Sequence, residues 1–169
     1  MKKFYFFALL LMALNSYGQS VKWADKVLEH SSEFGKRQYS VNQVLGKPNV
    51  LPNLGASPNA WSPKKKGKEE FVKVGFNEPM RIRQIAIAET HNPGGIHQIF
   101  AYDSNGQEYL LNTFEPNFIP IEGRLFRFFF DQTPYDVAAI KITINGQLLT
   151  GHFGIDALVF RIATSRLPS

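Results

Sequence analysis

The sequence predicts an all-β protein folded as a two-sheet antiparallel sandwich with jelly-roll or Greek-key winding. Apolar residues recur at every second position in most segments after residue 68, which is the spacing of half-buried strands. Turns that contain Asn, Gly or Pro separate these segments at short intervals. No helical segment long enough for a crossover between parallel strands lies among them. Together these observations indicate two packed sheets with one short N-terminal helix.

The first 18 residues have the pattern of a signal peptide. Lys2 and Lys3 precede an apolar run, residues 4–14, that is too short to span a bilayer. Small side chains at Ser16 and Gly18 then fit a signal-peptidase site, so cleavage after Gly18 is expected. A short membrane anchor left in place is the alternative. We therefore expect residues 19–169 to form a single exported domain that does not span the membrane.

The composition of the chain excludes several classes of protein. The chain has 169 residues, a formal net charge of +5 at pH 7 and no cysteine. Without cysteine there is no disulfide, so stability depends on packing, to which the 15 phenylalanines contribute. The charge is mildly basic and no nucleic-acid-binding motif is present, so no nucleic-acid partner is expected.

The predicted helix is short and lies before the strands. Ser40 is a suitable N-cap, and Gln43 stands three residues later, as in a capping box. Gly46 then ends the helix, which should span Val41 to Leu45. The segment that follows, residues 46–68, is rich in Pro, Asn, Gly and Lys. It predicts a long ordered loop laid over the sandwich.

Alternation predicts which faces of the strands are buried. The apolar positions that recur every second residue are Val72, Val74 and Phe76; Phe126, Phe128 and Phe130; and Ile140, Ile142 and Ile144. In the segment from Met80 to Glu89 the apolar face shifts by one residue after Ile82. A period of two accommodates this shift only with a bulge, which we place near Arg83 and Gln84.

Two tight turns are expected between the later strands. Residues 103–106, Asp-Ser-Asn-Gly, separate the apolar runs 96–102 and 108–114, as the loop of a β-hairpin does. Asn145 and Gly146 mark a second turn before the last strand.

A resemblance to a known family adds to this prediction. The segments that carry it are residues 43–49 (Gln-Val-Leu-Gly-Lys-Pro-Asn), 70–76 leading into 83–89, 92–94, and 154–157. Their order resembles the discoidin (coagulation factor 5/8 type C) group of galactose-binding-like sandwiches. Residues 60–65 and 69–76 more closely resemble a domain of outer-membrane-associated proteins of gliding-type Gram-negative bacteria, found ahead of OmpA-like domains. The resemblance implies a discoidin-like module that is periplasmic or associated with the outer membrane.

The first candidate binding segment is the polar loop of residues 89–95. Glu89, His91 and Asn92 offer hydrogen-bond donors and acceptors there, beside a backbone opened by glycine. Polar loops on a rigid sandwich commonly carry function. The alternative is a plain turn in which Asn92 satisfies local geometry.

The second candidate segment is residues 150–154, in which glycines flank His152 and Phe153. An aromatic ring beside a polar group suits the stacking of a sugar. The alternative is structural, with Phe153 filling the core and the nearby Asp156 capping backbone amides.

The third candidate segment joins Trp61 to a run of cations, Lys64, Lys65 and Lys66. An aromatic residue beside a run of cations can bind an anionic glycan, a lipid head group or an acidic protein surface. The alternatives are a solvated loop and a Trp61 that closes the barrel as a lid. The apolar loop of residues 116–121 suits a protein or membrane contact if it is exposed, and the core if it is not.

Catalytic signatures are missing from the sequence. It has no Gly-x-Ser-x-Gly elbow, no His-Glu-x-x-His motif and no cysteine nucleophile. The four histidines lack the spacing of zinc ligands. We therefore expect no enzyme, no metal site and no cofactor.

Two functions are consistent with these observations. The first is a non-catalytic envelope module that acts through protein contacts, as an accessory subunit of an outer-membrane assembly such as a type IX secretion or gliding translocon. Its partner would be an outer-membrane or periplasmic protein. The alternative is a carbohydrate-binding module. A glycan binder should show a solvent-exposed aromatic beside polar loop residues, whereas a protein adaptor should show a larger apolar patch with a polar rim.

Overall fold

The computed structural model describes residues 21–162. The predicted signal peptide, residues 1–18, lies outside the described residues. The nine strands of the described part are β1 (Val21–Trp23), β2 (Lys26–His30), β3 (Glu69–Met80), β4 (Ile82–His91), β5 (Ile96–Asp103), β6 (Glu108–Thr113), β7 (Arg124–Phe129), β8 (Val137–Asn145) and β9 (Gly154–Ile162). Two short 3-10 helices span Val41–Val44 and Gly146–Leu148.

The strands form two antiparallel sheets, which confirms the predicted sandwich. One sheet has four strands in the order β1-β9-β4-β7, and the other has five in the order β2-β3-β8-β5-β6. Every pair within a sheet is antiparallel. Because β3, β4 and β5 alternate between the two sheets, the chain closes the sandwich in the jelly-roll manner.

The predicted inward faces form the core. Val72, Val74 and Phe76 of β3 are buried, and β8 places Ile140 and Ile142 opposite the first two of them. The alternate phenylalanines of β7 pack half-buried against this core from the other sheet. Alternation of apolar and polar residues therefore located the core of these strands correctly.

The predicted bulge in β4 is present. The register with β9 shifts between Ile82 and Gln84, so that Ile82, Ile85 and Ile87 all point into the core. The chain also turns at both predicted places, although at the second it forms the 3-10 helix Gly146–Leu148, which the Asn145 side chain caps. The Asp103 carboxylate accepts the backbone N–H of Asn105 at 2.9 Å.

The N-terminal helix occurs at the predicted place, but its predicted cap is wrong. It is a 3-10 helix over Val41–Val44, and the Ser40 side chain makes no capping hydrogen bond. The cap comes from outside the helix, because Glu33 Oε2 accepts the Val41 N–H at 3.0 Å. Gln43 likewise turns outward and donates from Nε2 to the Arg37 carbonyl at 2.7 Å. The capping box does not form, because the helix is of the tighter 3-10 type and the Glu33 carboxylate accepts the N–H at its start.

Sequence analysis missed β1 and β2. They have three and five residues, and most of their side chains are exposed or half-buried. Each lies at the edge of its sheet. Edge strands of this length carry little alternation, so their pairing with β9 and β3 depends on tertiary contacts.

The long loop before β3 is held to the sandwich at two points. The Asp156 carboxylate, fully buried in β9, accepts the backbone N–H groups of Asn49, Val50 and Leu51 at 3.0 to 3.4 Å. The Trp61 backbone donates to the Ile155 carbonyl at 2.7 Å and accepts the Ile155 N–H at 3.0 Å. The loop is therefore ordered and close to the sheet, as predicted.

The register of β8 gives a direct test of the core. We expect Ile142→Ala to lower the free energy of unfolding by about 2–5 kcal/mol, because Ile142 has no exposed surface. Lys141→Ala should change it by about 1 kcal/mol or less, since the half-buried Lys141 lies on the outer face and contributes a cation over the Phe71 and Phe100 rings. Urea unfolding of both variants measures the difference. Equal effects would contradict the register.

Candidate functional site

A cleft of about 340 Å³ lies at the end of the sandwich where two predicted loops meet. The last residue of β4, His91, and the following Asn92 line one side of it, and the segment before β9 contributes His152 and Phe153. Two of the three candidate segments, which are about 60 residues apart in the chain, therefore form one site.

A side-chain hydrogen bond joins these two loops. Asn92 Nδ2 donates to the His152 carbonyl at 2.7 Å and lies 3.4 Å from His91 Nε2. The backbone of Asn92 is in the left-handed region with φ of 44°, a conformation that Asn tolerates better than most residues. Asn92 thus acts both in the turn and in the site, so its two proposed roles are compatible.

Gly94 fixes the path of the same loop. Its φ is 108°, and a Cβ built there would lie 1.9 Å from the Asn117 carbonyl oxygen. The Gly94 N–H donates to Glu89 Oε1 at 2.9 Å. Only glycine fits this position, which brings the 115–122 segment against the base of the loop.

The opposite wall of the cleft comes from residues that sequence analysis did not select. Phe34 is 57% exposed, and its ring meets the rings of Tyr39 and His152 edge to face, each at 5.6 Å between centroids. The signal available in the sequence was two aromatic residues inside a polar, glycine-containing segment. That signal was too common to distinguish a site from an ordinary loop.

Glu33 anchors the turn that carries Phe34. It accepts the Val41 N–H and a hydrogen bond from Lys36 Nζ at 2.6 Å. The Lys36 ammonium holds the pKa of the Glu33 carboxyl below its ordinary value, with the Val41 amide acting in the same direction. Glu33 is therefore ionised at neutral pH and pairs with Lys36 rather than adding a free negative charge to the cleft.

The polar groups of the cleft are donors, hydroxyls and imidazoles. No carboxylate lines it among the described residues. His152 Nδ1 is buried and has no hydrogen-bond partner in residues 21–162. The cleft thus combines an exposed aromatic ring with hydrogen-bonding groups and without a carboxylate, which is a surface suited to an uncharged or anionic polar ligand.

Two of the proposed site residues have mainly structural positions. Glu89 is buried, and its carboxylate pairs with Arg124 and accepts the Gly94 N–H, so it shapes the loop from beneath. Phe153 is 4% exposed and lies in the core, where its ring meets Trp61 edge to face at 5.3 Å. The structural alternative for Phe153 therefore holds, although Phe153 also lines the cleft.

The third candidate segment does not form a surface with Trp61. Trp61 has no exposed surface, and its Nε1 donates to the Ser32 carbonyl at 2.9 Å inside the protein. The proposed role of Trp61 in surface recognition is therefore wrong, because its large aromatic ring is buried in the core. Lys64, Lys65 and Lys66 are exposed on the following loop and do not line the cleft.

Neither a metal-ligand cluster nor a membrane-length apolar helix occurs among the described residues. Within residues 21–162, no group of three or more His, Asp or Glu side chains is placed to hold a metal ion. Over the same residues, no helix is long and apolar enough to cross a membrane.

Comparison with solved structures shows the fold. The chain is similar to XRCC1 in a complex with the DNA polymerase β catalytic domain, with a TM-score of 0.65 and 16% identity over 86% of this chain and 100% of that one. It is similar to the family 32 carbohydrate-binding module of Streptococcus pneumoniae EndoD, with a TM-score of 0.62 and 9% identity over 82% and 95%.

A third similar structure is the family 32 module of C. perfringens NanJ in complex with galactose. The TM-score is 0.55, with 22% identity over 84% of this chain and 99% of that one. These likenesses confirm the galactose-binding-like sandwich that the sequence predicted.

At the level of sequence, no curated protein matches the chain. A family model does match, over residues 14–165, and its description is Pappalysin-1, SD scarf domain, C-terminal. The match covers most of the chain, including all of the described strands. The chain therefore belongs to the family of the pappalysin-1 C-terminal SD scarf domain.

Proposed function

We propose that this domain is a non-catalytic binding module that recognises carbohydrate in the cleft between the 91–92 and 151–154 loops. The observation that carries the proposal is the Phe34 ring, exposed beside His91, Asn92 and His152. This arrangement meets the criterion set above for a glycan binder. The fold that it shares with a module in complex with galactose, a pectin-binding module and a chitosan-binding module supports it.

The geometry of the cleft suits a sugar ring better than an extended apolar ligand. A pyranose has an apolar face that packs on an aromatic ring, and hydroxyls around its rim that need hydrogen-bond partners. Phe34 supplies the ring, and the imidazole and amide groups of His91 and Asn92 lie on the adjoining wall. The volume of about 340 Å³ is in the range of small-ligand sites.

Phe34→Ala tests this function. We expect the variant to bind its polysaccharide at least about tenfold more weakly, because the apolar face of the sugar loses its partner. Affinity electrophoresis through gels containing a galactan, pectin or chitosan measures the change. Unfolding stability should stay within about 0.5 kcal/mol, since the ring is exposed.

The matched control is Phe129→Ala. Phe129 is 62% exposed, but it lies on β7, outside the cleft, so the same substitution should leave retention in the gel unchanged. Equal retention of wild type and Phe34→Ala on every retarding polysaccharide would contradict the proposed site. No retardation of the wild-type protein on any of them would count against the function.

A second candidate function is an accessory contact to an outer-membrane or periplasmic protein, such as a subunit of a secretion or gliding translocon. The observation in its favour is the loop of residues 116–121, which sequence analysis assigned to either a contact or the core. Ile121 is 49% exposed, while Phe118 is half-buried against the core. We further infer that the protein acts after export, because residues 1–18 have the pattern of a signal peptide.

The exposed lysines test this second function. We expect the triple change of Lys64, Lys65 and Lys66 to Gln to reduce capture of an acidic envelope partner more at low salt than at high salt. Exposed charges act over about 10 Å at 0.1 M salt and less at higher salt. Pull-down from envelope extracts, quantified by mass spectrometry, measures capture. Equal capture by the variant and wild type at both salt levels would exclude the lysine loop of residues 64–66 as the contact.

A further inference from the structure

The outer faces of the two sheets differ in chemistry. On the five-stranded sheet, Lys73 Nζ lies 3.7 Å from the centroid of the Tyr102 ring, and Lys141 Nζ lies 5.2 Å from that of Phe71. These cations cover the aromatic rings and keep that face polar. On the four-stranded sheet the described cation–π contact, Arg124 at 5.1 Å from the Phe126 ring centroid, involves a ring that packs against the core. No described cation covers a ring on the outer face of that sheet.

Small side chains form the centre of this second face. On the outer side of β4 and β9, Ala86 is opposite Val159, and Ala88 is opposite Ala157. The exposed fraction of each is 8% or less. A sheet face turned to water ordinarily carries polar residues at these positions.

Large side chains on the edge strands rise on either side of this floor. Trp23 of β1 is opposite Val159, and Leu125 of β7 is opposite Ala88. Leu51, from the loop held by Asp156, closes the wall beside Trp23. Together they enclose a groove of about 230 Å³.

One end of the groove is positively charged. Arg161 of β9 is opposite Gln84, and Arg127 of β7 is opposite Ala86. Both arginines line the groove, no carboxylate does, and neither forms an ion pair within residues 21–162. From strand spacing and rise, their Cα atoms are about 12 Å apart, so two guanidinium groups can reach one anion.

The bottom of the groove, formed by Ala86, Ala88 and Ala157, determines which kind of ligand can lie in it. β4 and β9 each have a paired neighbour on both sides, so their backbone N–H and C=O groups are already used. A peptide or sugar lying on Ala86, Ala88 and Ala157 would lose hydrogen bonds to water and gain none. A hydrocarbon chain makes no hydrogen bonds to water, so it loses none when it lies there.

We propose that this groove binds a small amphiphilic anion, namely a fatty carboxylate. Its acyl chain lies on the alanine floor between Trp23 and Leu125, and its carboxylate meets Arg127 and Arg161. The volume suits a short chain, because it is below the usual range of about 300–1,000 Å³ for drug-sized ligands. The groove lies on the outer face of the sheet and shares no lining residue with the cleft.

Titration with octanoate, 1-octanol and acetate tests the proposal. Methyl NMR of the purified chain reports on the alanines of the floor, and the indole signal of Trp23 reports on the wall. We expect octanoate to shift the Ala86, Ala88 and Ala157 methyl signals, octanol to shift them at higher concentration, and acetate to leave them unchanged. Octanoate that shifts no signal of the groove would overturn the proposal.

The double variant Arg127→Gln, Arg161→Gln separates charge from hydrocarbon. It should weaken octanoate binding at least about tenfold and leave octanol binding unchanged, because it removes only the partners of the carboxylate. Lys65→Gln, an exposed lysine outside the groove, is the control and should bind octanoate as wild type does. Thermal unfolding of each variant checks the fold. Unchanged octanoate affinity in the folded double variant would overturn the assignment of the arginines.

Discussion

Asp156→Ala is expected to lower the free energy of unfolding by about 3–5 kcal/mol. The Asp156 carboxylate is fully buried and accepts three consecutive backbone N–H groups, those of residues 49–51. Alanine would leave these donors without a partner beneath the loop. Each buried unsatisfied donor costs about 1–3 kcal/mol, and water entering the site would recover part of that cost.

Urea unfolding followed by circular dichroism measures this effect, and two other variants calibrate it. Asp156→Asn keeps the shape and one acceptor oxygen, so it should cost about 1–3 kcal/mol. Asp136→Ala removes an exposed carboxylate and should stay within about 0.5 kcal/mol. If Asp156→Ala were as mild as Asp136→Ala, Asp156 would not be what holds the loop.

The second large effect is expected at the core tryptophan. Trp61→Ala should cost about 3–5 kcal/mol, because it leaves a cavity beside Phe153 and frees the Ser32 carbonyl. Trp61→Phe retains a ring but not the indole N–H, so it should recover much of the loss. Any loss of binding by Trp61→Ala would then follow from unfolding rather than from a missing contact.

Trp23→Ala is the matched control for this variant. Trp23 is half-buried on β1, an edge strand of three residues, so its removal should cost about half as much or less. Chemical unfolding curves of the two variants under one set of conditions give the comparison. A larger loss from Trp23→Ala than from Trp61→Ala would contradict the burial pattern.

The sandwich could be predicted because its central strands repeat a simple pattern. Alternating apolar residues in β3 and β8 identified their inward faces, and a break in the alternation located the bulge after Ile82. These signals are local and depend only on the period of a strand. Edge strands such as β1 and β2 lack these signals. Each pairs with a strand on one side alone and is partly buried, so few of its positions require an apolar residue.

The candidate site was predictable only in part, for a different reason. His91, Asn92 and His152 lie at the end of a strong strand or in the loops beside one, where polar residues near glycine are noticeable. Phe34 belongs to an irregular segment, and nothing in its sequence indicates that the fold brings it within 5.6 Å of the His152 ring. Conversely, Trp61 sits in a polar loop that looks exposed, yet it is covered because its backbone pairs with Ile155. Such proximities arise from tertiary structure alone.

The turn that carries Phe34 lies outside both sheets, and backbone hydrogen bonds help to hold it to the scaffold. Phe34 N–H donates to the Ser62 carbonyl at 2.9 Å, and Tyr39 N–H donates to the Pro58 carbonyl at 2.7 Å. Neither bond depends on which side chain the residue has. Natural variation can therefore replace the aromatic contacts of this turn without disturbing the strands beneath it. Ligand preference and thermodynamic stability can consequently diverge independently among relatives of this domain.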